Sequence, residues 1–251
     1  MANAWYRTIC WTSIWSKDRQ AVGLEHLLLA EGVADSVVLG FDEKHGPFRL
    51  TYRLTWDASW RLRDAELVVA TEQSTRSLSL RTDGQGHWRY GDGRAIDDLD
   101  GCVDVDIWPT PFTNSFPIRR ETMAVGERRN FRMAWVFAPG LTVHPQPQAY
   151  TRLAERLYLF ENLDGSGFRA ELPVDEDGIV VDYPNLFQRV ADNEWATDPC
   201  RLTPGCSGRS AERPIAEPKR SPAENGHSNL NTAAENYAND AIVRAPNEAL
   251  R

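Results

Sequence analysis

The sequence predicts a mainly β fold: a large curved antiparallel sheet or half-open β-barrel with few short helices. Three observations carry that expectation. Apolar and polar residues alternate with a period of two through most of residues 1–192, Asp-Gly turn signals separate the alternating runs, and no βαβ rhythm interrupts them. The first run sets Trp5, Arg7, Ile9, Trp11 and Ser13 on one face and Tyr6, Thr8, Cys10 and Thr12 on the other. Residues 19–29 are a helix candidate, although their apolar spacing fits neither period cleanly. Phe48, Leu50, Tyr52, Leu54 and Trp56 share one face of the next strand, and Arg49, Thr51, Arg53 and Thr55 occupy the other. Shorter strands follow at 62–71, 77–82, 133–137, 156–161, 168–172 and 179–183. Turns are expected at Asp83-Gly84, Asp92-Gly93, Asp164-Gly165 and Asp177-Gly178, because Asp and Gly both tolerate positive φ. About ten strands in one unit imply a sheet with a concave face, and that face needs something to fill it.

Composition divides the chain near residue 192. Residues 193–251 hold six Val, Ile, Leu, Phe or Met residues in 59 positions, together with six prolines. That apolar share lies below the roughly 20% at which burial offsets chain entropy, so this stretch is expected to be a disordered tail. A helical turn at 231–241 is too short to persist alone. The expected organisation is therefore a β domain at 1–192 and a tail at 193–251.

The bulk figures exclude several classes. A net charge of −8 argues against a nucleic-acid partner, since phosphate backbones require basic surface. No window reaches about 18 consecutive apolar residues, so no transmembrane helix is expected. The start shows no basic patch followed by a long apolar run; without that export signal the expected location is cytoplasmic and Cys10, Cys102, Cys200 and Cys206 are read as reduced thiols. Cys200 and Cys206 would need two further zinc ligands, and the histidines stand singly, so no metal or other cofactor is expected. Phosphate-loop, dinucleotide and nucleophile-elbow signatures are absent; Gly165-Ser166-Gly167 is a hairpin turn.

Residues 99–120 carry the most chemistry. On a strand Asp104 and Asp106 share a face, where paired carboxylates can hold a cation, divide acid and base roles, lie along a solvent-facing edge, or bond Arg119 or Arg120. Pro109, Pro111 and Pro117 make the following segment stiff and non-helical, a rim or a crossing. There Thr113 and Asn114 stand close to two guanidiniums that suit a phosphate or sugar head group. Eight of the nine tryptophans precede residue 192; core packing explains most, and sites for sugars and acyl chains use the same rings.

Taken in order, several segments resemble the bacterial putative glycolipid-binding family, long catalogued as a domain of unknown function. They are Gly23-Leu24-Glu25, Tyr52 to Asp57 with Trp60-Arg61, Leu99 to Asp106, and Thr110-Pro-Phe-Thr-Asn-Ser-Phe-Pro-Ile-Arg-Arg120. Ala134-Trp-Val, Gln148-Ala-Tyr150 and Val181-Asp-Tyr183-Pro-Asn-Leu-Phe187 complete the set, which spans about residues 4–190. The chain departs from the family at Ser115-Phe116, where Thr-Leu is more usual, and at Asn185, where Gly is common. The resemblance implies a fold similar to the LolA/LolB lipoprotein carriers, with an apolar concavity. Two functions from different classes follow. One is a non-enzymatic binding protein for a lipid or glycolipid-like small molecule, with ligand-contacting candidates Trp60, Arg61, Asp104, Asp106, Thr113, Asn114, Arg119, Arg120 and Tyr183. The other is a hydrolase or transferase acting on a sugar or phosphate through Asp104 and Asp106, with Asp182 as a third carboxylate. The expected assembly is a monomer or an edge-paired dimer.

Overall fold

The computed structural model describes residues 6–14 and 23–194. Its first seven strands are β1 (Arg7–Ser13), β2 (Gly23–Ala30), β3 (Val33–Asp42), β4 (Gly46–Trp56), β5 (Leu62–Thr71), β6 (Thr75–Thr82) and β7 (Trp88–Tyr90). The remaining strands are β8 (Val105–Trp108), β9 (Arg128–Phe137), β10 (Thr142–Ala154), β11 (Leu157–Asn162), β12 (Arg169–Pro173), β13 (Asp182–Tyr183) and β14 (Phe187–Glu194). One short helix, α1 (Ser115–Arg120), lies between β8 and β9. A nine-stranded antiparallel sheet runs β13-β14-β1-β2-β3-β4-β5-β6-β7, and a five-stranded curled sheet runs β12-β11-β10-β9-β8. The mainly β, curved-sheet expectation holds, with one exception to antiparallel pairing. β8 runs parallel to β9, so their connection must cross over instead of turning back as a hairpin.

Alternation explains the inward faces. On β1 every second residue from Arg7 to Ser13 is buried, and on β4 Phe48, Leu50, Tyr52, Leu54 and Trp56 all point inward. The four expected turns form. Each Gly takes positive φ (68–91°), while Asp83, Asp92 and Asp164 use their carboxylates to accept amide protons two residues on. Asn185 also has φ 64°, a conformation Asn tolerates where a glycine would otherwise serve.

Three local expectations need correction; of the strand expected at 179–183 only Asp182–Tyr183 forms, with Val180 in an isolated bridge to Val174. Residues 23–29 are strand β2 rather than part of a helix; residues 19–22 lie outside the described residues. Glu25, Leu27 and Leu29 point inward, and Leu28, an apolar residue on the outer face, blurred the period. The proline-rich segment is not free of helix: residues 112–114 form a 3₁₀ turn that leads into α1. Pro117 falls in the first turn of α1, where its missing N–H costs no intrahelical bond. The segment is a crossing, and residues 110–118 are buried rather than on a rim.

That crossing plugs the concave face. Phe112 and Phe116 are fully buried and lie 6.1 and 5.5 Å from the Trp56 ring. Trp11, Trp56, Trp88, Trp108 and Trp135 belong to the same core cluster; Trp5, Trp15 and Trp195 lie outside the described residues. So do Cys200, Cys206 and the expected tail from residue 195 onward. No helix among the described residues is long and apolar enough to cross a membrane.

Candidate functional site

The sequence-predicted site residues fall into two groups. Trp60, Arg61, Arg119 and Arg120 line a cleft of about 690 Å³ open at the surface, whose walls also include Ser59, Gln85 and Glu121. Asp106, Asn114 and Tyr183 line a separate interior crevice with about 10 Å³ of room, enough for roughly one water. Asp104 stands behind the cleft, bonded to Arg120, and Thr113 stands behind the crevice, bonded to Asp106.

The cleft is built on the tight β4–β5 loop. The Asp57 carboxylate accepts the amides of Ser59 (2.9 Å) and Arg61 (3.1 Å), and the Trp60 amide donates to the Asp57 carbonyl (2.9 Å). This wrapping holds Trp60 at φ 57°, a left-handed conformation that costs a bulky L-residue about 1–2 kcal/mol. The ring so presented stacks on Trp56 (4.9 Å between centroids) and meets Phe116 edge-on (5.9 Å). Arg119, from the last turn of α1, lays its guanidinium over the Trp60 ring at 4.8 Å. Its ion pair with Asp177 is loose, at 3.7 Å. Arg61 makes no side-chain hydrogen bond or ion pair among the described residues. The Asp83-Gly84 turn closes the other wall: a Cβ at Gly84 would lie 2.9 Å from Arg63 Nη1 and 3.3 Å from Arg61 Cβ. Arg63 is committed to Asp57 (2.7 Å) and to the Asp83 carbonyl.

Behind the cleft the aspartates are buried, which corrects the solvent-facing alternative. Asp104 is paired with Arg120 and also accepts the Leu62 amide (3.3 Å). Burial raises its pKa to about 6 despite the neighbouring guanidinium. Asp106 accepts from the Gln148 amide (2.5 Å) and the Thr113 hydroxyl (3.1 Å), and burial again holds its pKa above the usual range. Asn114 receives the Tyr150 hydroxyl (2.7 Å). Tyr183 turns its ring to Phe160, Phe168 and Phe187. Asp182 lies on β13 and is half-buried.

Sequence reasoning missed a third buried acid. Glu25 accepts three hydroxyl hydrogen bonds on one oxygen, from Tyr52 (2.5 Å), Ser36 (2.9 Å) and Thr110 (2.9 Å). Thr110 also lines the interior crevice. The signal, a Glu two residues before a buried Leu on the inward face, shows only once residues 23–30 are known to be a strand. Chemically, the interior carboxyls can hold protons and pin the plug, whereas the cleft can receive a molecule. Among the described residues no three His, Cys, Asp or Glu side chains are placed to hold a metal ion.

The profile of a family described as "Putative glycolipid-binding" matches residues 12–189. A solved structure similar to the chain is a DUF1089 family protein from Pseudomonas aeruginosa, with 50% identity and a TM-score of 0.67. The match covers 68% of this chain and 94% of that one. No curated protein matches the sequence.

Proposed function

Because the chain belongs to the putative glycolipid-binding family, we propose that it is a non-enzymatic binding protein whose lipid or glycolipid-like ligand is received at the cleft beside Trp60. The observation that carries this reading is the cleft itself: an aromatic plane held in a strained backbone conformation and fringed by Arg61 and Arg119. Backbone strain of this kind persists where surrounding structure enforces it, and such positions cluster at ligand sites. Ala58, Trp60 and Val103 supply apolar wall to the cleft, against which an acyl chain bound there would lie. Arg120 and Asp104 support the wall from behind. Asp106, Thr113, Asn114 and Tyr183 anchor the plug and its surroundings rather than touch the ligand. The reading is of a monomer, supported by sheet edges that are short: β7 has three residues and β13 two.

Native mass spectrometry of the full chain, before and after organic extraction, tests the proposal. The expected result is a co-purifying mass that extraction removes and that Trp60→Ala protein retains poorly. Protein free of bound mass from several expression hosts would overturn it.

A further inference from the structure

We infer that the Trp60 cleft is an oxyanion site, so that the head group it takes is phosphoryl-like rather than a neutral sugar; this deepens the binding reading above and rests on it. The walls bring three arginines, Arg61, Arg119 and Arg120, against a single carboxylate, Glu121. That carboxylate is already engaged by Arg129 and Arg120. The cleft is therefore locally cationic in a chain whose net charge is −8. A concave cationic site on an acidic molecule concentrates field lines and draws anions to that one place.

The donor inventory points the same way. Sugar hydroxyls both donate and accept, so a neutral sugar is matched by a mixture of donors and acceptors. This cleft offers guanidinium forks, which only donate, beside the Gln85 amide and the Ser59 hydroxyl, which can do either, and its one carboxylate is occupied. Donor-rich walls suit an acceptor-only oxyanion, which guanidinium groups bind with charge-assisted, bidentate hydrogen bonds. Two of the arginines are available for that role in different ways. Arg61 has no side-chain partner among the described residues. Arg119 is oriented by the Trp60 ring, and its contact with Asp177 at 3.7 Å exceeds hydrogen-bond distance. Arg120 is committed to Asp104 and Glu121, which balance its charge, so the free positive charge of the cleft comes from Arg61 and Arg119.

Calorimetric titration of the full chain with four probes tests this: dioctanoyl phosphatidic acid, dioctanoylglycerol, octyl glucoside and inorganic phosphate. The phosphatidic acid should bind about tenfold more tightly than the two neutral amphiphiles, and more weakly as salt rises. Arg61→Gln and Arg119→Gln should each weaken it by about fivefold to tenfold. Arg61→Gln should leave the melting temperature unchanged, because the native guanidinium bonds no side chain or backbone group among the described residues. If the neutral amphiphiles bind as tightly as phosphatidic acid, the oxyanion site is overturned and the lipid-binding reading stands. If inorganic phosphate alone binds as tightly as phosphatidic acid, the oxyanion site stands and the lipid-binding reading falls. Failure of all four probes to bind also overturns the site.

Discussion

Glu25 concentrates the residue-scale chemistry. Its Oε1 accepts all three hydroxyl hydrogen bonds, and its buried Oε2 has no hydrogen-bond partner among the described residues. An uncharged carboxyl fits that asymmetry, since an ionised one would leave charge on Oε2 with no donor to meet it. Burial raises the pKa to about 7 from 4.5, while the three hydroxyls pull it partly back. Because the folded value lies above the unfolded one, neutral Glu25 contributes stability below about pH 4.5, and that contribution is lost as pH rises through about 7. The cost of ionisation is about 3 kcal/mol. Asp104 and Asp106 shift in the same direction. Glu25→Gln should therefore unfold at higher urea than the natural chain at pH 8, and at a similar concentration at pH 5. Equal displacement of the two midpoints at both pH values would refute the linkage. The inward position of Glu25 was not legible, because the apolar spacing of residues 19–29 fits neither period cleanly. Its partners were not legible, because Thr110 lies 85 residues away in sequence and arrives only when the plug inserts.

At the scale of elements, the β4–β5 loop and the plug shape the cleft together. Hairpin turns built on Asp-Gly were readable because residue type alone dictates their backbone. The Trp60 turn was not, since no residue there favours φ 57° and the conformation is imposed by Asp57 capping and ring stacking. That account makes a comparison of two variants informative. Trp60→Ala removes the stacked ring and keeps the strain, whereas Trp60→Gly removes the ring and relieves the strain. The Gly variant should be more stable by about 0.5–1 kcal/mol, even though Gly ordinarily loses to Ala. Chemical denaturation of both proteins measures it; an Ala variant at least as stable as Gly would show that the loop stores no strain at Trp60. The plug was only half legible. Its prolines announced a crossing, but the helical turn of α1 depends on Phe112 and Phe116 finding the Trp56 and Trp60 rings.

Across the described residues, Arg7 ties β1 and β14 to the turn at 175–178 that follows β12. Its guanidinium, 4% exposed, pairs with Asp175, Asp177 and Asp192, and Arg189 joins Asp175 and Asp192. First strand, last strand and the 175–178 turn thus meet in one charge network. Arg7→Met keeps the apolar stem but leaves Asp175 and Asp192 to Arg189 alone, so it should cost about 2–3 kcal/mol near neutral pH; that remaining pairing and the partial exposure of Asp177 and Asp192 keep it at the low end. Burial opposes ionisation of Asp175 and Asp192, but amide and guanidinium partners lower their pKa values overall. The stability they add is present above the ordinary carboxylate range and is lost as pH falls through their folded values. The gap between natural chain and variant should accordingly narrow in acid, which pH-dependent urea unfolding would reveal. A gap constant with pH would mean that Arg7 acts through packing alone. By itself the sequence determined the class of fold, its strand faces and its turns, because a period of two and turn-forming residues act over a few positions. Only the tertiary structure decided that residues 110–118 fill the concave face, that Asp104 and Asp106 are interior, and that Arg61 and Arg119 share a cleft. Those outcomes depend on contacts between residues far apart in sequence, and on burial, which alone converts a surface carboxylate into a buried acid.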